Sequence, residues 1–223
     1  MNKSLFFQAI LKFSLGLIIV GLLIFLPAWT LYFIQGWVLI TILFVPMFIA
    51  GIVMLFKSPE LLKKRLNARE SENDQKFVIL FSGILFTVSF VLAGLNYRFD
   101  WFVLPLWVSI ISAIVFLFSY AIYAEVLREN VYLSRTIEVQ ENQKVIDTGL
   151  YGIVRHPMYM TTLLLFLSIP LVLGSVISFA VMILYIPLIV IRIKNEEKVL
   201  ESGLEGYSEY KKKVRYRLIP FIW

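Results

Sequence analysis

Cysteine is absent from the 223-residue sequence. Disulfides, thiolate metal sites and cysteine nucleophiles are therefore excluded. His156 is the only histidine, so no multi-histidine metal cluster can form and no metal is expected. Charge is scarce as well. Asp, Glu, Lys and Arg make up 16% of the chain while 60% is hydrophobic, against about 25% and about 45–50% in an average soluble domain. That imbalance excludes a disordered chain, a nucleic-acid-binding module and most soluble enzymes. A net charge of +6 would suggest an acidic partner in a soluble protein. In a chain this apolar it points to membrane topology, with no nucleic-acid partner. Any chemistry is left to carboxylates, arginines, tyrosines, one imidazole and a borrowed cofactor.

Long apolar runs are abundant. A hydrocarbon core about 30 Å thick needs about 20 apolar residues as helix. Six stretches are candidates: 5–26, 37–56, 77–95, 101–124, 158–173 and 176–193. The first carries Lys12, placed to snorkel to the headgroups. It is too long for a cleaved signal peptide and has no small-residue cleavage site before Pro27. The fifth is short, with Pro170 near its end, and the uncharged 171–178 makes the fifth and sixth a tight hairpin. Trp29, Tyr32, Trp37, Tyr97 and Trp101 read as interfacial aromatics. The expected fold class is all-α, a polytopic membrane bundle of about six transmembrane helices. No internal repeat or acidic residue in mid-span suggests a transporter.

Basic residues fix the expected orientation. Twenty of the 21 Lys and Arg fall in the N-terminus, the segment after the second span, the segment after the fourth, and the C-terminal segment. Only Arg98 falls elsewhere. With six spans those four segments share one face, which the positive-inside rule makes cytoplasmic. Residues 58–76 read as an interfacial amphipathic helix with Pro59 at its first position. Residues 125–155 are polar, and a loop of that length is usually functional or disordered. Thr148–Gly152 is turn chemistry. Residues 195–204 continue the last span as a charged helix, and another short helix begins at Gly206.

Two constellations can carry chemistry. Arg155 and His156 precede Pro157 at a helix start, where free N–H groups favour an anion, with Met158 and Tyr159 following. Arg192 and Glu196 are spaced i, i+4 and share a helix face, while Glu197 is turned about 100° away. Residue types alone fit two readings in each case. The first set serves equally as a headgroup anchor, the second as a helix-end charge cluster. No phosphate loop, dinucleotide fingerprint or hydrolase triad is present.

Thr148-Gly-Leu-Tyr-Gly-Ile-Val-Arg-His-Pro-Met-Tyr159, a membrane hairpin, Glu196-Glu197-Lys-Val-Leu200 and Gly206-Tyr-Ser-Glu-Tyr210 together resemble the isoprenylcysteine carboxyl methyltransferase family. Membrane phospholipid N-methyltransferases share this pattern. The resemblance covers roughly residues 140–223. It implies a cytosolic pocket for S-adenosyl-L-methionine beneath the hairpin. Gln140, Tyr151, His156, Pro157, Met158, Tyr159 and Glu196 match its cofactor-binding positions, and a stretch near 143–146 aligns across a gap. Arg192 matches a catalytic, substrate-facing arginine. Thr161 departs from the usual glycine, either narrowing the pocket or bonding its own helix. The implied organisation is a four-helix transmembrane region at 1–125 and a methyltransferase core at 126–223. The expected reaction is methylation of a carboxylate on a lipophilic or prenylated substrate, by an enzyme of a bacterial cell membrane with both termini and active site cytoplasmic. Phosphatidylethanolamine-type N-methylation, an NADPH-dependent sterol-type reductase and a non-enzymatic membrane protein are the alternatives.

Overall fold

The computed structural model describes residues 3–66, 73–134 and 137–223. Its elements are α1 (Lys3–Ala28), α2 (Ile34–Lys57), α3 (Pro59–Leu66), α4 (Asn73–Phe99), α5 (Leu106–Glu129), a 3-10 turn (Gly149–Gly152), α6 (Pro157–Val172), α7 (Val176–Ile183), α8 (Tyr185–Gly203) and α9 (Tyr207–Lys213). Among the described residues no strand forms, only an isolated bridge between Val103 and Ser175. Among the described residues five stretches are long and apolar enough to cross a bilayer: α1, α2, α4 from Lys76, α5, and α7 with α8. The chain is an all-α integral membrane bundle.

The six expected spans differ from the structure in three places. The fifth, α6, has only 16 residues, about 24 Å of helix, which is short of the hydrocarbon core. It tolerates this because it sits inside the bundle, packed by α5, α2, α4, α7 and α8. The fourth begins at Leu106 rather than at 101, with Pro105 as N-cap. The freed residues form a link in which the Leu104 N–H donates to the Gly174 carbonyl (2.9 Å). The sixth is interrupted at Leu184, because Pro187 has no N–H to return to the Ile183 carbonyl. Beyond that point α8 runs through the charged residues to Gly203, and Gly206 (φ 83°) then caps α9, as the sequence suggests. Of the expected interfacial helix, α3 is the Pro59–Leu66 part, and Lys76 belongs to α4. Residues 67–72, with Arg69, lie outside the described residues, as does Arg135.

Apolar side chains point outward in large numbers, among them Phe7, Leu11, Leu15, Ile18 and Leu22 along one face of α1. Lipid gains nothing from burying them, so helices are held by close packing and polar pairs. A Cβ on Gly94 would stand 2.5 Å from the Ile24 carbonyl, so only glycine permits the α1–α4 approach. The Ser89 and Ser178 hydroxyls join α4 to α7 at 2.6 Å. Ile24, Phe33, Leu39, Phe90, Phe116 and Ile169 form the central core.

The bundle has two chemically distinct ends. At one, the Tyr97 hydroxyl donates to the Tyr32 carbonyl (3.4 Å) and Arg98 lies over the Trp29 ring. At the other, Lys12 donates to the Leu66 carbonyl at the end of α3 (2.6 Å), and Lys64 of α3 donates to Gln140 (2.5 Å). The basic segments read from the sequence gather at this second end.

Candidate functional site

Between α5 and α6 the chain is fixed from both sides. The Glu129 carboxylate, at the last residue of α5, accepts the Leu150 N–H (3.1 and 3.2 Å). Gly149 makes this possible. Its φ is +52°, and a Cβ there would collide with the Glu129 carboxylate. Gly149→Ala is expected to cost about 1–3 kcal/mol from left-handed strain and the displaced carboxylate. A lowered thermal unfolding midpoint in detergent would show it.

Pro157 then starts α6, with His156 as N-cap. The N–H groups of Arg155 and His156 donate to the carbonyls of Tyr216 and Arg217 (2.9 Å each), so the C-terminal segment lies against this helix start. Arg155 is buried. Its Nε donates to Glu197 Oε1 (2.8 Å), and its Nη1 to the Val214 and Arg215 carbonyls (2.7 and 2.8 Å). Glu197 also meets His156 Nε2 (3.3 Å) and accepts from Arg217 Nε (2.9 Å). The anion at this helix start is thus the chain's own Glu197. Arg155 and His156, expected at a helix start that favours an anion, are held in place in a buried network around that carboxylate.

Glu196 takes the other direction, as the 100° rotation requires. It is half-buried and lines a narrow cleft with a cavity volume of about 90 Å³. Tyr151, His156, Met158, Tyr159 and Arg192 line the same cleft, as does the stretch 143–146. The Tyr159 hydroxyl donates to Glu196 Oε2 (2.5 Å) and accepts from Arg192 Nε (3.0 Å). Arg192 and Glu196, one turn apart on α8, therefore meet at a single phenol supplied by α6.

Two expected residues stand outside the wall. Gln140 binds Lys64, the Tyr132 carbonyl (2.5 Å) and Gln143 (2.8 Å), tying α3 to the loop beside the cleft. Pro157 is buried and sets the helix start. Thr161 bonds the Met158 and Pro157 carbonyls (2.8 and 3.2 Å) and does not line the cleft, which favours the second of its two readings. Arg65 of α3 reaches over the rim to the Ser134 carbonyl (3.5 Å) and the Met158 sulfur (3.8 Å).

Sequence reasoning missed Tyr207 and Tyr210 as wall residues. Their Gly-Tyr-Ser-Glu-Tyr motif was visible, but nothing in it says which way the rings face. The Tyr210 hydroxyl donates to the Tyr151 carbonyl (2.8 Å). Burial pushes the phenols of Tyr151, Tyr207 and Tyr210 well above the usual range, so they remain protonated donors. Among the described residues no group of His, Asp and Glu could hold a metal ion.

A delta(14)-sterol reductase from Mus musculus is 30% identical to this chain over 91 residues. Those residues are 40% of this chain and 22% of the relative, so the chain spans about a fifth of that protein's length. The family model for phospholipid methyltransferases matches residues 104–205, a little under half of the chain. That stretch runs from the start of α5 past the end of α8 and includes the loop, the α6 start, Arg192 and Glu196. The segment 104–205, which builds most of the cleft, is thus the part of the chain that is similar to phospholipid methyltransferases.

Proposed function

We propose that the protein is a membrane methyltransferase that uses S-adenosyl-L-methionine to methylate a carboxylate on a lipid-like or prenylated substrate. The observation that carries this reading is the Arg192–Tyr159–Glu196 cluster on the cleft wall. It sets a cation and an anion side by side at the basic end of an apolar bundle. The donor set fits the cofactor: a carboxylate for its ammonium or hydroxyl groups, buried phenols for its acceptors, and Met158, Leu200 and Leu204 for its apolar surface. When bound, the cofactor supplies a methyl group activated on a sulfonium.

The chain's own residues then bind and orient. Glu196 accepts hydrogen bonds from the cofactor, and Arg192 pairs with the substrate carboxylate and aims it. That nucleophile is ionised near pH 7 and needs no general base. Orientation alone contributes about 7–11 kcal/mol in favourable cases. The Arg155–Glu197–Arg217 network holds His156 and the α6 start rigid beneath the cleft. A lipid substrate would enter laterally from the bilayer. The basic end lies in the cytoplasm by the positive-inside rule.

Two observations favour other readings. The matching family model is described by phospholipid methylation, which would place an amine at the methyl group. An ammonium must first lose a proton, and Arg192 repels it. The partial likeness to a sterol reductase allows a nicotinamide cofactor instead. Calorimetric titration with S-adenosylhomocysteine and with NADPH separates these cofactors. We expect binding of the first only, and a loss of about tenfold or more in its affinity in Glu196→Ala. Unchanged affinity in that variant would remove Glu196 from the site.

A further inference from the structure

Two buried hydroxyls at the cleft have nothing to bond among the described residues. Tyr207 is 4% exposed and Tyr151 7%, both line the cleft, and neither hydroxyl has a hydrogen-bond partner among the described residues. The Asn130 side chain approaches the Tyr151 oxygen as a donor, outside hydrogen-bond geometry. A buried O–H left unpaired is costly, equivalent to about five- to hundredfold in an equilibrium constant, so each such group calls for an explanation. Packing does not supply one, since phenylalanine would fill the same space. Tyr210 makes the contrast. Its hydroxyl, on the same short helix, is used to fix the Tyr151 carbonyl, and the Tyr207 and Tyr210 rings lie 5.7 Å apart. Tyr210 thus stands beside both residues that carry the unpartnered phenols, bonded to the Tyr151 backbone and packed near the Tyr207 ring.

The local field narrows what they bind. Glu196 and Glu197 act on the Tyr207 phenol from α8, and Arg155 acts on it with opposite sign while bonded to Glu197. An anionic ligand group is disfavoured beside two carboxylates. A neutral acceptor, such as a sugar oxygen or a heterocycle nitrogen, is not. We propose that Tyr207 and Tyr151 donate hydrogen bonds to the nucleoside end of the ligand held in the cleft. This makes α9, beyond the segment matched by the family, part of the binding site. The assignment rests on the cofactor reading above and adds to it which end of the molecule lies under α9.

Full-length protein in detergent should be titrated with S-adenosylhomocysteine and with methylthioadenosine, which lacks the amino-acid end. In Tyr207→Phe and Tyr151→Phe, affinity for both should fall about tenfold. The unliganded unfolding midpoint should stay level or rise, because an unsatisfied group has been removed. Tyr210→Phe should instead lower that midpoint. Wild-type binding of S-adenosylhomocysteine with undiminished affinity in both phenylalanine variants would overturn the inference and leave the cofactor reading intact. No binding of methylthioadenosine, or a loss confined to S-adenosylhomocysteine, would overturn the nucleoside assignment. No binding of either compound by the wild type would overturn both.

Discussion

Arg192→Ala should lose about a hundredfold or more in kcat while its affinity for S-adenosylhomocysteine stays within about threefold of wild type. A charge-assisted hydrogen bond contributes about 1.5–3 kcal/mol, and a substrate carboxylate that is no longer aimed loses part of the orientation term as well. The geometry sharpens the expectation. Arg192 bonds the Tyr159 hydroxyl through Nε, and that hydroxyl donates to Glu196, the cofactor's proposed partner; the two roles should come apart in single variants. Arg192→Lys keeps the charge but not the planar fork and should recover only part of the rate. Turnover and binding measured on the same preparations check this. A variant that loses cofactor affinity and keeps its rate constant would reverse the two assignments.

Glu197→Ala should be among the most destabilising single changes in the chain. It strands the Arg155 guanidinium, whose side chain is 3% exposed, and removes the partner of His156 and Arg217. Breaking a buried pair by deleting one member costs about 3–5 kcal/mol, which for a protein of this size lowers the unfolding midpoint by about 6–20 °C. Glu196→Ala, at the neighbouring half-buried position, should move the midpoint little and affect ligand binding instead. Equal midpoints in the two variants would mean that the adjacent glutamates do not divide structure from binding.

The adjacent glutamates also show what the sequence could and could not tell. Their 100° separation on a helix was legible, and so was the shared face of Arg192 and Glu196. Which carboxylate turns inward was not. That depends on Arg155 and Arg217 arriving from segments 42 and 20 residues away. The apolar runs located the membrane helices because period and length suffice for that. They misplaced the start of α5 and the continuity of α7–α8, where Pro105 and Pro187 override hydropathy. They gave α6 the standing of a full span because composition cannot see that five other helices shield it. Gln140 looked like a cofactor contact by resemblance. In the structure its side chain bonds Lys64 of α3 and the Tyr132 carbonyl beside the cleft, an arrangement that composition and spacing do not reveal. The two orphaned phenols could be found only after folding, since a tyrosine's hydroxyl is unpartnered only by virtue of what surrounds it.

The central claim, a carboxyl methyltransferase working on a lipid-like substrate, is tested most directly by one incubation. Purified protein is mixed with methyl-labelled S-adenosyl-L-methionine and a membrane lipid extract, and the labelled lipid is treated with mild base. The account predicts label in the lipid fraction that base releases as methanol, as an ester would, and an initial labelling rate lower by about a hundredfold or more with Arg192→Ala. Label that survives base, as an N-methyl group would, or no transfer at all, would contradict it.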